Sequence, residues 1–217
     1  MITKFLMGSV GLLCLVGPMA QGAVIAENTS FNGPTFIATF GSGQSVLTPS
    51  GGPWNNILFN FVNAVDSTNG ADGTPAAEGT LFVLTQNFAG TPGSLSGATP
   101  GFLASTSTIV GGRWSFAPSV TLASNTAYFF FMGNVWSGTT AAGPGNGVKV
   151  RVASGTNPYA GGNFYFSNPS YASFATSDYA FALLGDQQVP EPAQVLPLGL
   201  SLLLLGASRF RRALSRV

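Results

Sequence analysis

The chain lacks the residue types that most enzymes use for acid–base or nucleophilic chemistry. It contains no histidine, and its single cysteine, Cys14, lies in an apolar N-terminal segment. These absences exclude imidazole catalysis, Ser-His-Asp and Cys-His nucleophiles, and histidine-based zinc sites. A serine–lysine pair would have to use Lys149, and no nucleophile motif lies near that residue. We therefore predict that the protein is not an enzyme.

Carboxylates are the acid–base groups that remain between residues 24 and 189. This region has six acidic and three basic side chains, a net charge of −3, which disfavours a nucleic-acid partner. Glycoside hydrolysis needs two carboxylates roughly 5–9 Å apart across a cleft. None of the six falls in a hydrolase motif, and most are predicted to solubilise the surface. A hydrolase that uses these acids stays an alternative.

One acidic segment has spacing that could suit a metal ion. Between Asp66 and Gly73, oxygen-bearing side chains recur three residues apart, with glycines at which the chain can turn. Asp66, Asn69 and Asp72 are candidate Ca²⁺ ligands, because Ca²⁺ takes six to eight oxygens. The spacing differs from that of an EF-hand, and we favour a polar hairpin loop with Asx turns. We predict no cofactor, with Ca²⁺ as the alternative.

Three tryptophans could stack on the apolar faces of pyranose rings. They are Trp54, Trp114 and Trp136. Trp136 is the best candidate, because the Asn134 amide nearby could read sugar hydroxyls. Trp114 alternates with Phe116 and is predicted to lie in the core, as large aromatic side chains usually do. A lectin-like carbohydrate-binding module, assisted by Ca²⁺, is therefore the alternative function.

The C-terminal segment, residues 189–217, combines a short motif with an apolar run and a basic end. The motif is Pro190-Glu191-Pro192, and the basic cluster is Arg209, Arg211 and Arg212. Residues 193–208 between them include seven leucines, each worth about −0.5 kcal/mol for insertion into a membrane. Sixteen helical residues cover about 24 Å of a roughly 30 Å hydrocarbon core, and arginines can snorkel across the difference. We predict a single transmembrane helix with the arginines on the cytoplasmic side.

The N-terminal residues 1–23 have the pattern of a secretory signal peptide. Lys4 precedes an apolar run from Phe5 to Val16, and Gly17 and Pro18 end that run before several small residues. We therefore predict export through the Sec translocon. An uncleaved anchor and lipid attachment at Cys14 are the alternatives.

Together, the two ends resemble those of PEP-CTERM sorting-domain proteins. Pro190-Glu191-Pro192, the apolar helix and the arginine cluster follow in that order, opposite an export signal. The resemblance implies recognition by an exosortase in a Gram-negative bacterium that makes exopolysaccharide. It implies an inner-membrane precursor that later reaches the cell surface or extracellular matrix, in association with a biofilm. A plain single-pass anchor with a proline-containing stalk is the alternative.

Residues 24–188 are predicted to form an all-β ectodomain. Short apolar or alternating runs recur between turn residues, which favours an antiparallel β-sandwich of jelly-roll-like topology. Ser42–Gly52 and Gly138–Gly147 are rich in glycine and are predicted loops, and 126–132, apolar on both faces, is predicted to be a central strand. The candidate strands are Thr35–Phe40, Asn55–Asn63, Gly79–Gln86, Phe102–Thr108, Arg113–Phe116, Ser119–Leu122, Thr126–Gly133, Gly147–Ala153, Asn163–Ser167 and Tyr179–Leu184.

The order of these runs resembles the choice-of-anchor β-sandwich domains of exported proteins. The matching features are Gly79–Leu84, Trp114–Phe116 with Leu122, and Thr126–Tyr128, followed by aromatic strands. The resemblance implies a fold and a surface location. It brings no catalytic residues to this chain.

Overall fold

The computed structural model describes residues 22–30, 35–37, 41–64, 71–134, 149–154 and 157–188. These residues form fifteen β-strands and one short 3-10 helix, Pro92–Ser94. The predicted all-β class is confirmed. The predicted signal peptide, apart from Gly22 and Ala23, and the predicted membrane helix lie outside the described residues.

One sheet of the described residues has nine strands, and all its pairings are antiparallel. Its central path runs through β1 (Ala23–Asn28), β15 (Phe181–Gln187), β4 (Trp54–Ala64), β11 (Lys149–Ser154) and β14 (Ser177–Tyr179). Four short strands join this path at β11, β4 or each other: β2 (Thr35–Ile37), β5 (Ala71–Ala76), β8 (Ile109–Val110) and β9 (Arg113–Ser115). β15 therefore lies inside the sheet, between β1 and β4.

The other sheet has six antiparallel strands in the described residues. Their order is β13 (Tyr171–Phe174), β12 (Phe164–Ser167), β3 (Ser42–Leu47), β10 (Ala127–Met132), β6 (Leu81–Leu84) and β7 (Phe102–Thr106). The non-consecutive order means that the chain crosses repeatedly between the sheets. Residues that are distant in sequence therefore meet at both ends of the molecule.

Alternation in β4 builds the core between the two sheets. Ile57, Phe59 and Phe61 point to one face, and each is at most 1% exposed. Phe59 stacks on Phe130 of the opposite sheet, with ring centroids 4.4 Å apart and planes 4° from parallel. A single cluster of buried apolar side chains draws on both sheets. This packing is compatible with a β-sandwich.

The predicted central strand from residue 126 is confirmed as β10. Its inner face, which includes Phe130 and Met132, enters the core between the sheets. Its outer face carries Phe129 and Phe131, which pack in a second apolar cluster that includes Leu95 of the segment 85–101. This segment covers the outer face of the six-stranded sheet. A strand that is apolar on both faces therefore finds apolar contacts on both.

The prediction that Ser42–Gly52 forms a surface loop is wrong for its first half, although residues 49–51 do form an exposed turn. Ser42–Leu47 is β3, hydrogen-bonded between β10 and β12 in the six-stranded sheet. Small residues are needed here, because a Cβ at Gly43 would overlap the Phe131 ring. Gln44 is fully buried and hydrogen-bonded, so polarity did not indicate exposure. The small residues that are typical of loops are therefore required here by close packing within the sheet.

Other predicted strand boundaries need correction too. Ser119–Leu122 is not a strand, and Leu122 forms only an isolated bridge with Trp54. β5 was not predicted, because Asp72, Gly73 and Pro75 are poor strand formers. It forms because it pairs with β4. The strands β1, β8, β13 and β14 were likewise not predicted.

Gly43→Ala should lower the free energy of unfolding by about 1–3 kcal/mol, since the new methyl group overpacks against Phe131. Gly93→Ala is the matched control, because nothing lies within 4 Å of a Cβ at that position. We expect that control to change stability by less than about 0.5 kcal/mol. Urea denaturation of the chain from residue 22 to residue 188 would measure both effects. Equal effects of the two substitutions would contradict the packing of β3 described here.

Candidate functional site

The end of β15 positions the predicted sorting motif relative to the fold. The Gln188 backbone N–H donates to the Pro53 carbonyl at 2.8 Å, and the Gln187 side-chain amide donates to the Gly51 carbonyl at 2.7 Å. The chain is thus held to the sheet up to residue 188. Pro190, Glu191 and Pro192 follow after one further residue and lie outside the described residues, as do Arg209, Arg211 and Arg212.

A β-bulge shapes the same end of β15. Leu184 pairs with Leu58, but Asp186 pairs with Asn55, so β4 contains one extra residue. Asn56 absorbs the extra residue with a φ of 49°, a left-handed conformation that asparagine tolerates better than most residues. Its side-chain amide also donates to Asp186 Oδ2 at 2.8 Å. The bulge and this hydrogen bond set the direction in which β15 ends.

The first described strand begins beside the place where the last one ends. β1 is antiparallel to β15, and Ala23 pairs with Gly185. Gly185 leaves no room for a side chain, since a Cβ would lie 2.8 Å from Ile25 Cδ1 and 2.9 Å from the Asn55 carbonyl oxygen. The predicted signal peptide and the predicted sorting segment therefore both attach at one end of the molecule.

Two of the three candidate sugar-stacking tryptophans lie in the core. Trp114 is fully buried, as predicted, and its Nε1–H donates to the Gly79 carbonyl at 3.0 Å. Trp54 is 6% exposed and packs in the same apolar cluster. The suggestion that these two residues join a sugar-binding platform is therefore wrong. Trp136 lies outside the described residues.

Asn134, the candidate partner of Trp136, has a structural contact. Its Oδ1 accepts a hydrogen bond from the Thr80 backbone N–H at 3.2 Å. Its side chain also packs against Gly79, which has a φ of +67° and no space for a Cβ. Asn134 thus fixes the turn that leads into β6.

The candidate Ca²⁺ ligands are divided between described and undescribed parts of the chain. Asp66 and Asn69 lie outside the described residues, whereas the backbone of Asp72 belongs to β5. Asp72 and Gly73, which were predicted to lie in a loop, therefore belong to a strand that pairs with β4. Within the ranges that the structure describes, no group of three or more histidine, cysteine, aspartate or glutamate residues could hold a metal ion.

The structure reveals a buried polar network that the sequence did not indicate. Asp178 is fully buried, although most acids were predicted to lie on the surface. Its Oδ1 accepts from Gln44 Nε2 and its Oδ2 from the Tyr159 backbone N–H, both at 3.0 Å. Gln44 Oε1 in turn accepts from the Tyr179 backbone N–H at 3.0 Å. The network ties β14 of one sheet to β3 of the other.

Burial determines the electrostatics of this network. Desolvation raises the pKa of Asp178 above its ordinary value of 3.8, against the lowering effect of the hydrogen bonds from Gln44 and Tyr159. Desolvation also raises the pKa of Tyr159 to about 12 and raises the pKa of Tyr179. Both carboxylate oxygens of Asp178 are occupied by amide donors. The arrangement therefore suits fixing the two sheets together.

The described residues define an all-β protein of two antiparallel sheets. Comparison with protein-family models, with curated proteins and with solved structures finds no match for this chain. Within the described part of the chain, no helix has the length and apolar character needed to cross a membrane.

The raised pKa of Asp178 predicts a pH-dependent stability. A raised value means that the folded state favours the protonated acid, so the Asp178 contribution is complete below pH 3.8 and is lost as the pH rises through the folded-state pKa. The difference in unfolding free energy between wild type and Asp178→Asn should therefore fall with rising pH. The slope should be at most about 1.4 kcal/mol per pH unit.

Denaturant titrations at a series of pH values would measure this difference. Asp186→Asn is the control for losing one carboxylate. Its unfolding free energy, compared with that of Asp178→Asn, should still fall with rising pH, because Asp178 is intact. If the difference in unfolding free energy between wild type and Asp178→Asn stays flat or rises as the pH increases from 3.8, the raised pKa of Asp178 is contradicted.

Proposed function

We propose that this chain is a non-catalytic, exported surface or matrix protein that a PEP-CTERM-type signal sorts. In this proposal the Sec translocon exports it, and the C-terminal helix holds the precursor in the inner membrane. An exosortase-type enzyme then acts at Pro190-Glu191-Pro192, and the product associates with exopolysaccharide or biofilm matrix at the cell surface. The observation that carries the proposal is the ordered triplet, leucine-rich run and terminal arginine cluster.

The fold supports this proposal through the position of the motif. Gln188 is the last described residue and its backbone N–H donates to the Pro53 carbonyl, so the motif begins two residues after a position that is held to the sheet. The prolines at 190 and 192 disfavour helix and favour extended backbone, which a processing enzyme can bind. The motif would therefore stand between a folded domain and the membrane.

The absence of catalysis is part of the proposal and rests on composition. The whole chain has no histidine, and its one cysteine lies in the predicted signal peptide. Asp178, an acid with a perturbed pKa, is buried in a network that links the sheets. We further propose that the sandwich has a jelly-roll-like topology of the choice-of-anchor kind.

Substitution of Pro190-Glu191-Pro192 by three alanines should abolish processing, because it removes the extended motif and its carboxylate. An internally tagged protein would be followed by membrane fractionation and mass in cells with and without the sorting enzyme. Wild type should shift from a larger membrane-bound form to a smaller surface or released form when the enzyme is present. The triple-alanine variant should stay large and membrane-bound in both strains.

Alanine substitution of Pro118, an exposed proline in a described turn, is the matched control and should be processed normally. An identical mass of the wild-type protein in both strains would contradict sorting and favour a plain single-pass anchor.

Retention on exopolysaccharide from the producing cells tests the matrix role against the lectin-like alternative. For a matrix protein we expect retention that survives chelation and the substitution Trp136→Ala, because many weak contacts share the binding. Affinity electrophoresis through the polysaccharide would measure retention. Loss of retention with a chelator or in Trp136→Ala would favour a defined glycan site, and no retention of wild type at any salt concentration would remove both functions.

A further inference from the structure

The end of the molecule from which the predicted sorting segment leaves has a distinct surface, which we call the basal end. It is formed by the described residues 22–24, 47–53, 117–126, 158–162 and 185–188. These ranges meet because β1, β4, β10 and β12 start there, and β3 and β15 end there. Several backbone hydrogen bonds hold it together, among them those of Gln188 to Pro53, Trp54 to Leu122, and Leu47 to Gly161.

The chemistry of the basal end is nearly uncharged. Among its described residues, Asp186 carries the only charge, and its carboxylate accepts a hydrogen bond from Asn56. Two apolar side chains are exposed there, Val24 at 53% and Leu47 at 46%. Most of the remaining residues are prolines or small residues, namely glycine, alanine, serine and threonine. Such a surface meets little repulsion from the anionic headgroups of a bacterial membrane.

The length of chain between the fold and the membrane is short. Gln188 is fixed by its hydrogen bond to Pro53, and the apolar run begins at residue 193. Five peptide steps span at most about 18 Å, even when fully extended. The tether must cross one headgroup layer, which is about 5–7 Å thick. At most about 13 Å then separates the basal end from the headgroups.

We propose that the basal end lies against the lipid headgroups in the membrane-held precursor, so that the sorting motif is confined to a narrow gap between fold and bilayer. This inference rests on the proposed function, since it requires the C-terminal run to be inserted. It assigns an orientation to the domain and a lipid surface as the partner of the basal end. The opposite end, with the turn at residues 168–170, then faces away from the membrane.

Site-specific fluorescence quenching in vesicles tests this orientation. Ser50 at the basal end and Ser170 at the opposite end are both exposed turn residues, and each can be replaced by cysteine for labelling. β10 runs between the two ends, and its six residues alone span about 17 Å. The full chain carries Cys14→Ala so that one label is present. The vesicles contain phosphatidylethanolamine, some phosphatidylglycerol, and lipids with a nitroxide on the headgroup.

The label at Ser50→Cys should be quenched about twofold or more strongly than the label at Ser170→Cys, because only the former lies within tether reach of the headgroups. Insertion of twenty glycine and serine residues between Gln188 and Val189 should remove this difference, since such a linker averages roughly 25 Å between its ends. Quenching that persists in the linker variant would overturn the short tether as the cause.

The remaining outcomes separate failure of the inference from failure of the proposed function. If alkaline extraction removes the chain from the vesicles, the run does not insert, and both proposals are overturned. If the chain resists extraction but the two labels are quenched equally, the orientation alone is overturned. If the label at Ser50→Cys is shielded only when the sorting enzyme is present, the basal end contacts that enzyme. This result would overturn the lipid assignment.

Discussion

The stacked rings of Phe59 and Phe130 join the two sheets at the centre of the core. Phe61 meets Phe59 edge to face with ring centroids 5.2 Å apart, and Phe181 lies 6.0 Å from Phe59 on the neighbouring strand β15. Such ring pairs add roughly 0.5–1.5 kcal/mol each beyond the area they bury. Only 7% of the residues are charged, and the sole cysteine lies at position 14, so residues 24–188 have no disulfides. Aromatic packing must therefore supply much of what disulfides and ion pairs supply elsewhere.

This aromatic core sets constraints that extend to the polar residues around it. The rings of Phe181 and Tyr159 meet edge to face at 5.1 Å, and the Tyr159 backbone N–H then reaches the Asp178 carboxylate. Buried polar groups cost several kcal/mol unless they are hydrogen-bonded, so the complete pairing of Asp178 and Gln44 matters for the fold. Apolar contacts hold the sheets together, and the Gln44–Asp178 hydrogen bond joins β3 of one sheet to β14 of the other. The aromatic core and the buried polar network therefore both link the two sheets.

The local sequence pattern predicted those strands whose buried residues can be recognised from the strand's own sequence. The alternation of Ile57, Phe59 and Phe61 and the double-sided apolar run of β10 indicated strands and their buried faces correctly. The strand β3 was missed because its small residues are selected by the Phe131 ring, which belongs to another strand. The burial of Asp178 could not be predicted, because its partners, Gln44 and the Tyr159 amide, are 134 and 19 residues away in sequence. Long-range partners leave no local signal, and for the same reason the contact of Asn134 with Thr80 could not be foreseen.

The position of β15 links the core to the end from which the chain leaves. Phe181 and Leu183 are fully buried, and the strand is hydrogen-bonded on both sides, to β1 and β4. A strand inside a sheet cannot detach without breaking two ladders, whereas an edge strand breaks one. Any force or fluctuation transmitted through Gln188 therefore meets a strand that is hydrogen-bonded along both sides before it reaches the core. The bulge at Asn56 lies in β4 opposite the end of this strand, between Gln188 and the buried Phe181 and Leu183.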